Sequence, residues 1–283
     1  MSLKVVFMGT PDFAVPCLEK LVSANYEIAA VVTQPDRPKG RGQKLAFSPV
    51  KECALKYELP VWQPEKIKEE AFINQISAQA PDVIVVVAYG QFLPKVLLDL
   101  PRFGCINVHA SLLPQYRGAA PIHWAVINGE TVTGVTTMFM DIVMDTGDML
   151  LKASTGISPD ETTGELHDKL KLMGADLLLA TLAGCEAGSI SREKQDDAAA
   201  TYAPLLKRET ERIDWQKPAV AVHNLVRGLS PWPGAYCEHQ GKILKIWRTE
   251  PVDFIAGGKP GLVAAVADDG IVVGTGSGCI KIL

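Results

Sequence analysis

The segment "DVIVVVA" at residues 82–88 limits the choice of fold more than any other part of the chain. Its side chains are apolar on both faces, as in the central strand of a parallel sheet that is covered on both sides. Strand-like and helix-like segments alternate around it, from "LKVVFMG" at 3–9 to a long helical segment at about 161–187. This alternation predicts a Rossmann-like α/β fold with an open, mostly parallel sheet.

Two segments carry helix patterns with defined beginnings. "SPVKECALKY" at 48–57 places Ser48 before a proline, which is a common way for a helix to begin. "EKIKEEAFINQISAQ" at 65–79 has the pattern of a helix with a polar face. We therefore expect a helix in each segment.

The last third of the chain changes character. Residues 189–204 have no clear period, carry several charges and end in a proline, which predicts a linker. After one helical segment at 219–229, short strand-like runs alternate with glycine-rich turns, a pattern typical of a small β-barrel. The expected organisation is a larger domain at 1–188, a linker at 189–204 and a small β-barrel domain at 205–283.

Composition argues against several classes of protein. The 283 residues are 47% hydrophobic and 21% charged, an ordinary balance for a chain that folds around a core. No apolar run reaches 18 residues and the beginning lacks a signal-peptide pattern, so we expect a cytoplasmic protein without membrane association. The six cysteines are widely spaced, which predicts reduced, mostly buried thiols. The five histidines lack a metal-ligand spacing, so we expect no bound metal.

Charge is unevenly distributed along the chain. Residues 205–283 carry ten basic and eight acidic side chains, whereas residues 1–204 carry 18 basic and 24 acidic ones. A mildly basic smaller part beside an acidic larger part is weak evidence for a polyanionic partner.

The segment "INVHASLLPQYRG" at 106–118 is the strongest candidate for a functional site. Asn107 and His109 are two positions apart in a strand-like run, so both point to one face near the carboxyl end of the strand. In open α/β sheets, ligands bind at this end. A hydrogen-bonded pair of core residues is the alternative explanation. The loop that follows contains proline and glycine and favours a ligand site.

A third polar residue follows in "MDTGDM" at 144–149, between two predicted strands. Asp145 can reach His109 if its strand lies beside the strand of His109. Asp and Gly are also typical turn residues, and a turn is compatible with a catalytic role. The first strand, by contrast, is followed by "FMGTPDFA" with a single glycine, which argues against a dinucleotide-binding loop and a Walker A loop.

Together these motifs resemble the signature of the folate-dependent formyltransferases. The resemblance covers nearly the full length and is strongest to the branch that formylates initiator methionyl-tRNA. It implies transfer of a formyl group from 10-formyltetrahydrofolate to the α-amino group of the methionine, for translation initiation. We expect the protein to be a monomer. The matching segments are "FMGTPDFAVP", "TQPDRPKGRGQKL" at 33–45, "SPVK" at 48–51, "INVHASLLPQYRGAAPIHWAVINGE", "MDTGDM" and "GLSPWPGAY" at 228–236.

The resemblance also implies roles for individual residues. Asn107, His109 and Asp145 correspond to the catalytic trio of the family. An amide N–H of Asn107 can stabilise the developing oxyanion, His109 can move the proton of the attacking amine, and Asp145 can orient the imidazole. The residues expected to contact the folate are Ser111, Leu112, Leu113 and Pro114, together with Tyr89, Gly90, Gln91, Phe92 and Leu93.

The segment "TQPDRPKGRGQK" at 33–44 carries four basic side chains and one acidic side chain. Its two prolines and two glycines exclude a regular helix and predict a surface loop. With an RNA substrate, these cations would contact phosphates of the acceptor stem. The resemblance marks the arginine between the two glycines as the most important. It also implies that residues 205–283 form a small OB-like β-barrel, which is a second tRNA-binding region. The basic residues are Arg37, Lys39, Arg41 and Lys44.

Three other functions fit parts of the pattern. An amino-sugar nucleotide could be the formyl acceptor, water could attack the folate donor, or the chain could bind RNA without catalysis. The first alternative shares the trio and differs in having no obvious use for the basic segment at 33–45. The resemblance further predicts a chain that continues beyond "GCIKIL", so a truncated small domain is among our expectations.

Overall fold

The computed structural model describes residues 3–39, 44–252 and 259–283. The chain forms two compact units. The first comprises Met1–Arg117, Gly134–Ser154 and Asp168–Thr201, and the second comprises Gly118–Thr133, Thr155–His167 and Tyr202–Leu283. Each unit is therefore assembled from three segments. The division at 189–204 suggested by composition stays a prediction.

The described residues contain the following regular elements. The strands are β1 (Lys4–Gly9), β2 (Glu27–Val32), β3 (Arg37–Lys39), β4 (Lys44–Ala46), β5 (Val61–Trp62), β6 (Val83–Val87), β7 (Cys105–His109), β8 (Arg117–Gly118), β9 (Val132–Phe139), β10 (Met149–Gly156), β11 (Tyr202–Ala203), β12 (Ala235–His239), β13 (Lys242–Ile246), β14 (Thr249–Val252), β15 (Val263–Ala267), β16 (Gly270–Gly274) and β17 (Cys279–Ile282). The α-helices are α1 (Val15–Ser23), α2 (Pro49–Lys56), α3 (Glu70–Ser77), α4 (Lys95–Leu98), α5 (Pro121–Ile127), α6 (Thr163–Ala187) and α7 (Ala219–Gly228).

A seven-stranded sheet with the order β10-β9-β7-β6-β1-β2-β5 organises the first unit. The pairs β7/β6, β6/β1, β1/β2 and β2/β5 are parallel, and β7/β9 is antiparallel. Every residue of β6 is buried, because β6 has a neighbour on each edge and apolar side chains on both faces. The predicted Rossmann-like, mostly parallel α/β sheet is confirmed.

The two predicted helices have different outcomes. In α2 the Ser48 hydroxyl accepts the backbone N–H of Lys51 at 3.0 Å, so the predicted N-cap is confirmed. The prediction of a helix from residue 65 was wrong at its beginning, because α3 begins at Glu70. The Gln91 side chain accepts the N–H of Ile67 at 3.0 Å and donates to the carbonyl of Glu65 at 3.3 Å. These bonds hold the preceding turn in a non-helical conformation.

The basic segment forms a hairpin where the sequence indicated a loop. Strands β3 and β4 pair antiparallel, with Arg37 opposite Ala46 and Pro38 opposite Leu45. Proline at position 38 is tolerated because this two-stranded ribbon consists of edge strands only. Arg41, the central cation of the predicted loop, lies outside the described residues.

The segment predicted as a linker is ordered against the first unit up to Thr201. Glu193 and Met149 exchange backbone hydrogen bonds of 2.8 and 2.9 Å, and the N–H of Arg117 donates to the carbonyl of Thr201 at 2.9 Å. The Gln195 side chain is only 5% exposed. A segment without periodicity is thus held by hydrogen bonds of its backbone and one buried side chain.

The second unit is rich in strands, as predicted for the C-terminal part. Strands β12 and β13 form a hairpin, and a four-stranded sheet has the order β14-β17-β16-β15. Helix α7 packs on these strands through a core that includes Val222, Val226, Ala235 and Ile280. Strand β17 is antiparallel to both β14 and β16, so it lies inside its sheet.

Two predictions from composition can be compared with the structure. All six cysteines are buried, which confirms the prediction of buried thiols. Within the ranges that the structure covers, no helix has the length and apolar character needed to cross a bilayer.

Candidate active site

The carboxyl end of β7 carries the two polar residues singled out in the sequence. β7 lies between β6 and β9, with Asn107 opposite Val86 on one side and opposite Met138 on the other. The two-residue spacing places His109 on the same face as Asn107. His109 is 6% exposed and Asn107 is half-buried. The sheet thus presents both side chains at the ligand-binding end of a central strand.

Asp145 lies beside His109, as the sequence suggested. Its Oδ2 is 3.7 Å from Nδ1 of His109, and its side chain is 13% exposed. Asp145 has a φ of 56°, in the left-handed region that Asp adopts more readily than most residues. A Cβ at Gly147 would lie 1.9 Å from the carbonyl oxygen of Phe139. The turn "DTG" therefore requires glycine at its third position, and this turn aims Asp145 at the imidazole.

The second nitrogen of His109 fixes the tautomer of the ring. Nε2 is 3.0 Å from the backbone carbonyl oxygen of Tyr116, and a carbonyl oxygen only accepts hydrogen bonds. Nε2 therefore carries a hydrogen and donates it. Nδ1, which faces Asp145, is the ring atom at which His109 takes up or releases a proton.

The Asn107 side chain is available for a ligand. Among residues 3–39, 44–252 and 259–283 it makes no hydrogen bond, although it is half-buried. Because the side chain is only half-buried, its polar atoms can be reached from outside the protein. Its N–H donors can therefore bind an oxygen atom of a ligand at the carboxyl end of β7.

The loop after β7 is held in one conformation by Thr136 of β9. The Thr136 hydroxyl donates to the carbonyl of Ser111 at 2.7 Å and accepts the N–H of Leu113 at 3.1 Å. Ser111 and Leu113 are buried, whereas Leu112 and Pro114 are half-buried. Ser111 also donates to the carbonyl of Gln115 at 2.6 Å. Ser111 and Leu113 thus hold the loop, and Leu112 and Pro114 are the better placed to contact a ligand.

The segment after β6 combines buried anchors with one exposed ring. Tyr89 and Leu93 are buried in an apolar cluster that includes residues of β1 and β6. The Gln91 side chain binds the turn before α3 through the N–H of Ile67. Burial raises the pKa of the Tyr89 hydroxyl to about 12. Gly90 has a φ of 93° and is exposed, and the Phe92 side chain is 69% exposed. Phe92 is the aromatic surface that this segment offers to a ligand.

A network of polar side chains anchors the basic hairpin at its base. Lys51 donates to Asp36 and, at 2.8 Å, to Gln63, while Gln63 donates to Asp36 at 2.8 Å. Hydrogen bonds from Lys51 and Gln63 lower the pKa of the Asp36 carboxyl. Asp36 therefore neutralises Lys51 and does not offset the charge of Arg37, which is exposed. Of Lys39 and Lys44, the structure describes the paired backbone.

Two residues of the site were missed in the sequence. Thr136 stands opposite His109 in the register of β7 and β9, and Gln195 donates to the carbonyls of Asp145 and Gly147 at 2.8 Å each. Thr136 is one of three threonines in β9, so its residue type alone did not single it out. Gln195 had no signal either, because a single glutamine in a charged, aperiodic segment resembles any surface residue.

Comparison with known proteins identifies the family to which both parts of the chain are similar. Residues 3–182 match the family model described as formyl transferase, and residues 205–283 match the one described as formyl transferase, C-terminal domain. The methionyl-tRNA formyltransferase of Geobacter metallireducens is 54% identical over 281 residues, which are 99% of this chain and 90% of the relative. This match includes the segments that carry Asn107, His109 and Asp145.

Solved structures of similar fold are more distant in sequence. The N-formyltransferase from Helicobacter canadensis, in complex with folinic acid and dTDP-3-aminofucose, is 17% identical with a TM-score of 0.72, over 100% of this chain and 99% of that chain. HypX from Aquifex aeolicus, in complex with tetrahydrofolic acid, is 18% identical with a TM-score of 0.68, over 100% of this chain and 44% of that one. At these identities the likeness shows the fold alone.

Proposed function

We propose that this chain, which belongs to the formyl transferase family and within it to the methionyl-tRNA formyltransferases, transfers a formyl group from 10-formyltetrahydrofolate to the α-amino group of methionine on initiator methionyl-tRNA. The observation that carries the proposal is the pairing of Nδ1 of His109 with Asp145 at 3.7 Å, beside the Asn107 amide, which has no partner among the described residues. A cytoplasmic monomer that acts in translation initiation is part of the same proposal.

Asn107 is assigned to the formyl oxygen. The amine attacks the formyl carbon, and negative charge then builds on the oxygen. An N–H of Asn107 donates to this oxygen and stabilises the charge without itself titrating. The absence of a partner for this amide within the described ranges agrees with a donor reserved for the substrate.

His109 and Asp145 are assigned to the proton that the attacking amine loses. Because Nε2 donates to Tyr116, the proton arrives at Nδ1, on the side of Asp145. The carboxylate of Asp145 stabilises the imidazolium formed there and holds the ring in place. Collapse of the tetrahedral intermediate breaks the bond between the formyl carbon and N10 of the folate. The proton held at Nδ1 passes to N10, and tetrahydrofolate leaves. This route needs no covalent bond between the formyl group and the protein, since the amine attacks the formyl carbon directly.

The folate site is proposed between the two segments described above. Leu112 and Pro114 offer half-buried apolar surface, and Phe92 offers an exposed aromatic ring suited to a flat pterin. Tyr89, Leu93 and Leu113 support these surfaces from the core. The bound tetrahydrofolic acid of HypX and folinic acid of the Helicobacter enzyme, both of the same fold, support a folate co-substrate for this chain.

The tRNA is proposed to bind through the basic hairpin and the C-terminal part. The expected contacts are phosphates, made by Arg37, Lys39, Arg41 and Lys44 and by the mildly basic residues 205–283. In this proposal residues 1–188 are the catalytic domain and residues 205–283 assist tRNA binding. They are joined by residues 189–204.

An amino-sugar nucleotide as acceptor is the rival proposal. The Helicobacter structure, with an aminofucose nucleotide bound, has the same fold at 17% identity, whereas the tRNA enzyme of Geobacter is 54% identical. Sequence likeness therefore favours tRNA strongly. The sequence of the basic segment at 33–44 agrees, since a small nucleotide has no need for its four cations.

An acceptor assay tests the proposed function. Purified protein and 10-formyltetrahydrofolate are incubated separately with initiator methionyl-tRNA, elongator methionyl-tRNA, dTDP-amino sugars and buffer alone. We expect formyl-methionine on the initiator tRNA and little product elsewhere. Formylated sugar as the main product, or folate turnover that needs no acceptor, would contradict the proposal.

A further inference from the structure

We infer that Gln195, in the segment between the predicted domains, is a positioning residue that fixes Asp145 against His109. The inference rests on the proposed function, because it assigns Gln195 a role in the same reaction. Gln195 is 5% exposed and belongs to the first compact unit, as do His109 and Asp145. It reaches the catalytic turn from a part of the chain fifty residues away.

The amide of Gln195 clamps the turn at two points. Its Nε2 donates to the carbonyl of Asp145 at 2.8 Å and to the carbonyl of Gly147 at 2.8 Å. A primary amide has two N–H donors, and both are used here. One of the two clamped carbonyls belongs to Asp145, the residue with the left-handed backbone, so the clamp holds the conformation that directs the carboxylate towards Nδ1 of His109.

A buried arginine fixes the orientation of this amide. Nε of Arg117, which is 3% exposed, donates to Oε1 of Gln195 at 2.9 Å, and its Nη2 donates to Asp197 at 2.8 Å. A guanidinium has donors only, so the amide oxygen must face Arg117 and the NH₂ must face the turn. Asp197 compensates the buried positive charge.

The segment that carries Gln195 also supports Tyr116, whose carbonyl is the hydrogen-bond acceptor of His109. The N–H of Tyr116 donates to the hydroxyl of Thr201 at 2.8 Å, and the carbonyl of Tyr116 accepts from His109. Residues 193–201 thus hold the Asp145 turn through one side chain and the His109 acceptor through another. A relative shift of about 1 Å between the catalytic groups is enough to lower a rate by about 100-fold.

Gln195→Met tests the inference, because methionine keeps the length of the side chain and removes both donors and the acceptor. We expect single-turnover formylation to fall about 10–100-fold at saturating substrates. Kd for initiator methionyl-tRNA and for tetrahydrofolate should change less than about two-fold. Gln75→Met, the same change at an exposed position of α3, is the matched control and should behave like the wild type.

A double-mutant cycle separates positioning from a general structural role. If Gln195 acts through Asp145, Gln195→Met should cause little further loss in an Asp145→Ala background. Multiplicative losses in the double variant would overturn the inference, and so would a Gln195→Met rate within two-fold of wild type. If Gln195→Met does not fold, Gln195→Glu, which keeps an acceptor for Arg117 and removes both donors to the turn, is measured in the Asp145→Ala background by the same criterion. A wild type without formylation would instead overturn the proposed function.

Discussion

At the scale of single residues, the candidate site depends on the tautomer of one side chain and on the backbone conformation of another. The tautomer of His109 follows from the Tyr116 carbonyl, and the backbone of Asp145 follows from its turn. The two-residue spacing of Asn107 and His109 predicted their common face, because strand geometry alone determines it. The clamp by Gln195 could not be predicted, because long-range hydrogen bonds of a lone side chain leave no periodic signal.

Replacing Asn107 tests its assignment to the oxyanion. Asn107→Ala removes one donor, and such a loss costs about 10²–10³ in rate, or about 3–4 kcal/mol. We expect this loss in single-turnover formylation, with little change in Kd for either substrate. Asn74→Ala, at an exposed position of α3, should leave the rate unchanged. Weaker folate binding with an unchanged rate would show that Asn107 binds the substrate in the ground state, and would contradict its assignment to the oxyanion.

Gly147 tests the packing of the turn that carries Asp145. A Cβ there would overlap the Phe139 carbonyl at 1.9 Å, so Gly147→Ala should lower the free energy of unfolding by about 1–3 kcal/mol. The displaced turn should also lower the formylation rate. In the control Gly156→Ala, the new Cβ is 3.8 Å from its nearest neighbour and should be tolerated. Thermal unfolding compares the two, and equal Tm values would contradict the packing argument.

At the scale of elements, apolar patterns predicted more than loop chemistry did. β6 and its place in the sheet followed from a fully apolar strand, and the cap of α2 followed from Ser48. The beginning of α3 did not follow, since Gln91 binds the preceding turn from another part of the chain. The hairpin β3/β4 was missed because its glycines and prolines are equally typical of an irregular loop.

The basic hairpin makes a prediction about salt dependence. Removing two cations in Arg37→Ala/Arg41→Ala should raise KM for tRNA and leave KM for the folate unchanged. The slope of log(kcat/KM) against log salt should decrease by roughly 1–2, since each phosphate contact contributes about 0.7–0.9. The matched control is Lys20→Ala/Lys56→Ala, which removes two exposed cations that lie on α1 and α2, outside the hairpin. Equal salt slopes in both double variants would contradict the proposal that the hairpin binds tRNA.

At the scale of the whole molecule, burial of all six thiols gives a test of the described fold. Burial raises the pKa of Cys17 and Cys105 to about 12 and that of Cys53 to about 11. A raised pKa leaves less of the reactive thiolate at any pH below it. At pH 8 the native protein should therefore react slowly with a maleimide, and all six cysteines should react after unfolding. Rapid labelling of native protein would contradict the described core.

The central claim is that Asn107, His109 and Asp145 form a single formyl-transfer site at the carboxyl end of β7. Single-turnover formylation of initiator methionyl-tRNA, with 10-formyltetrahydrofolate and saturating enzyme, measures it most directly. We predict formyl-methionyl-tRNA from the wild type and near-total loss in His109→Ala and in Asp145→Ala, with Kd for tRNA unchanged. Either variant retaining a rate within ten-fold of the wild type would contradict the claim.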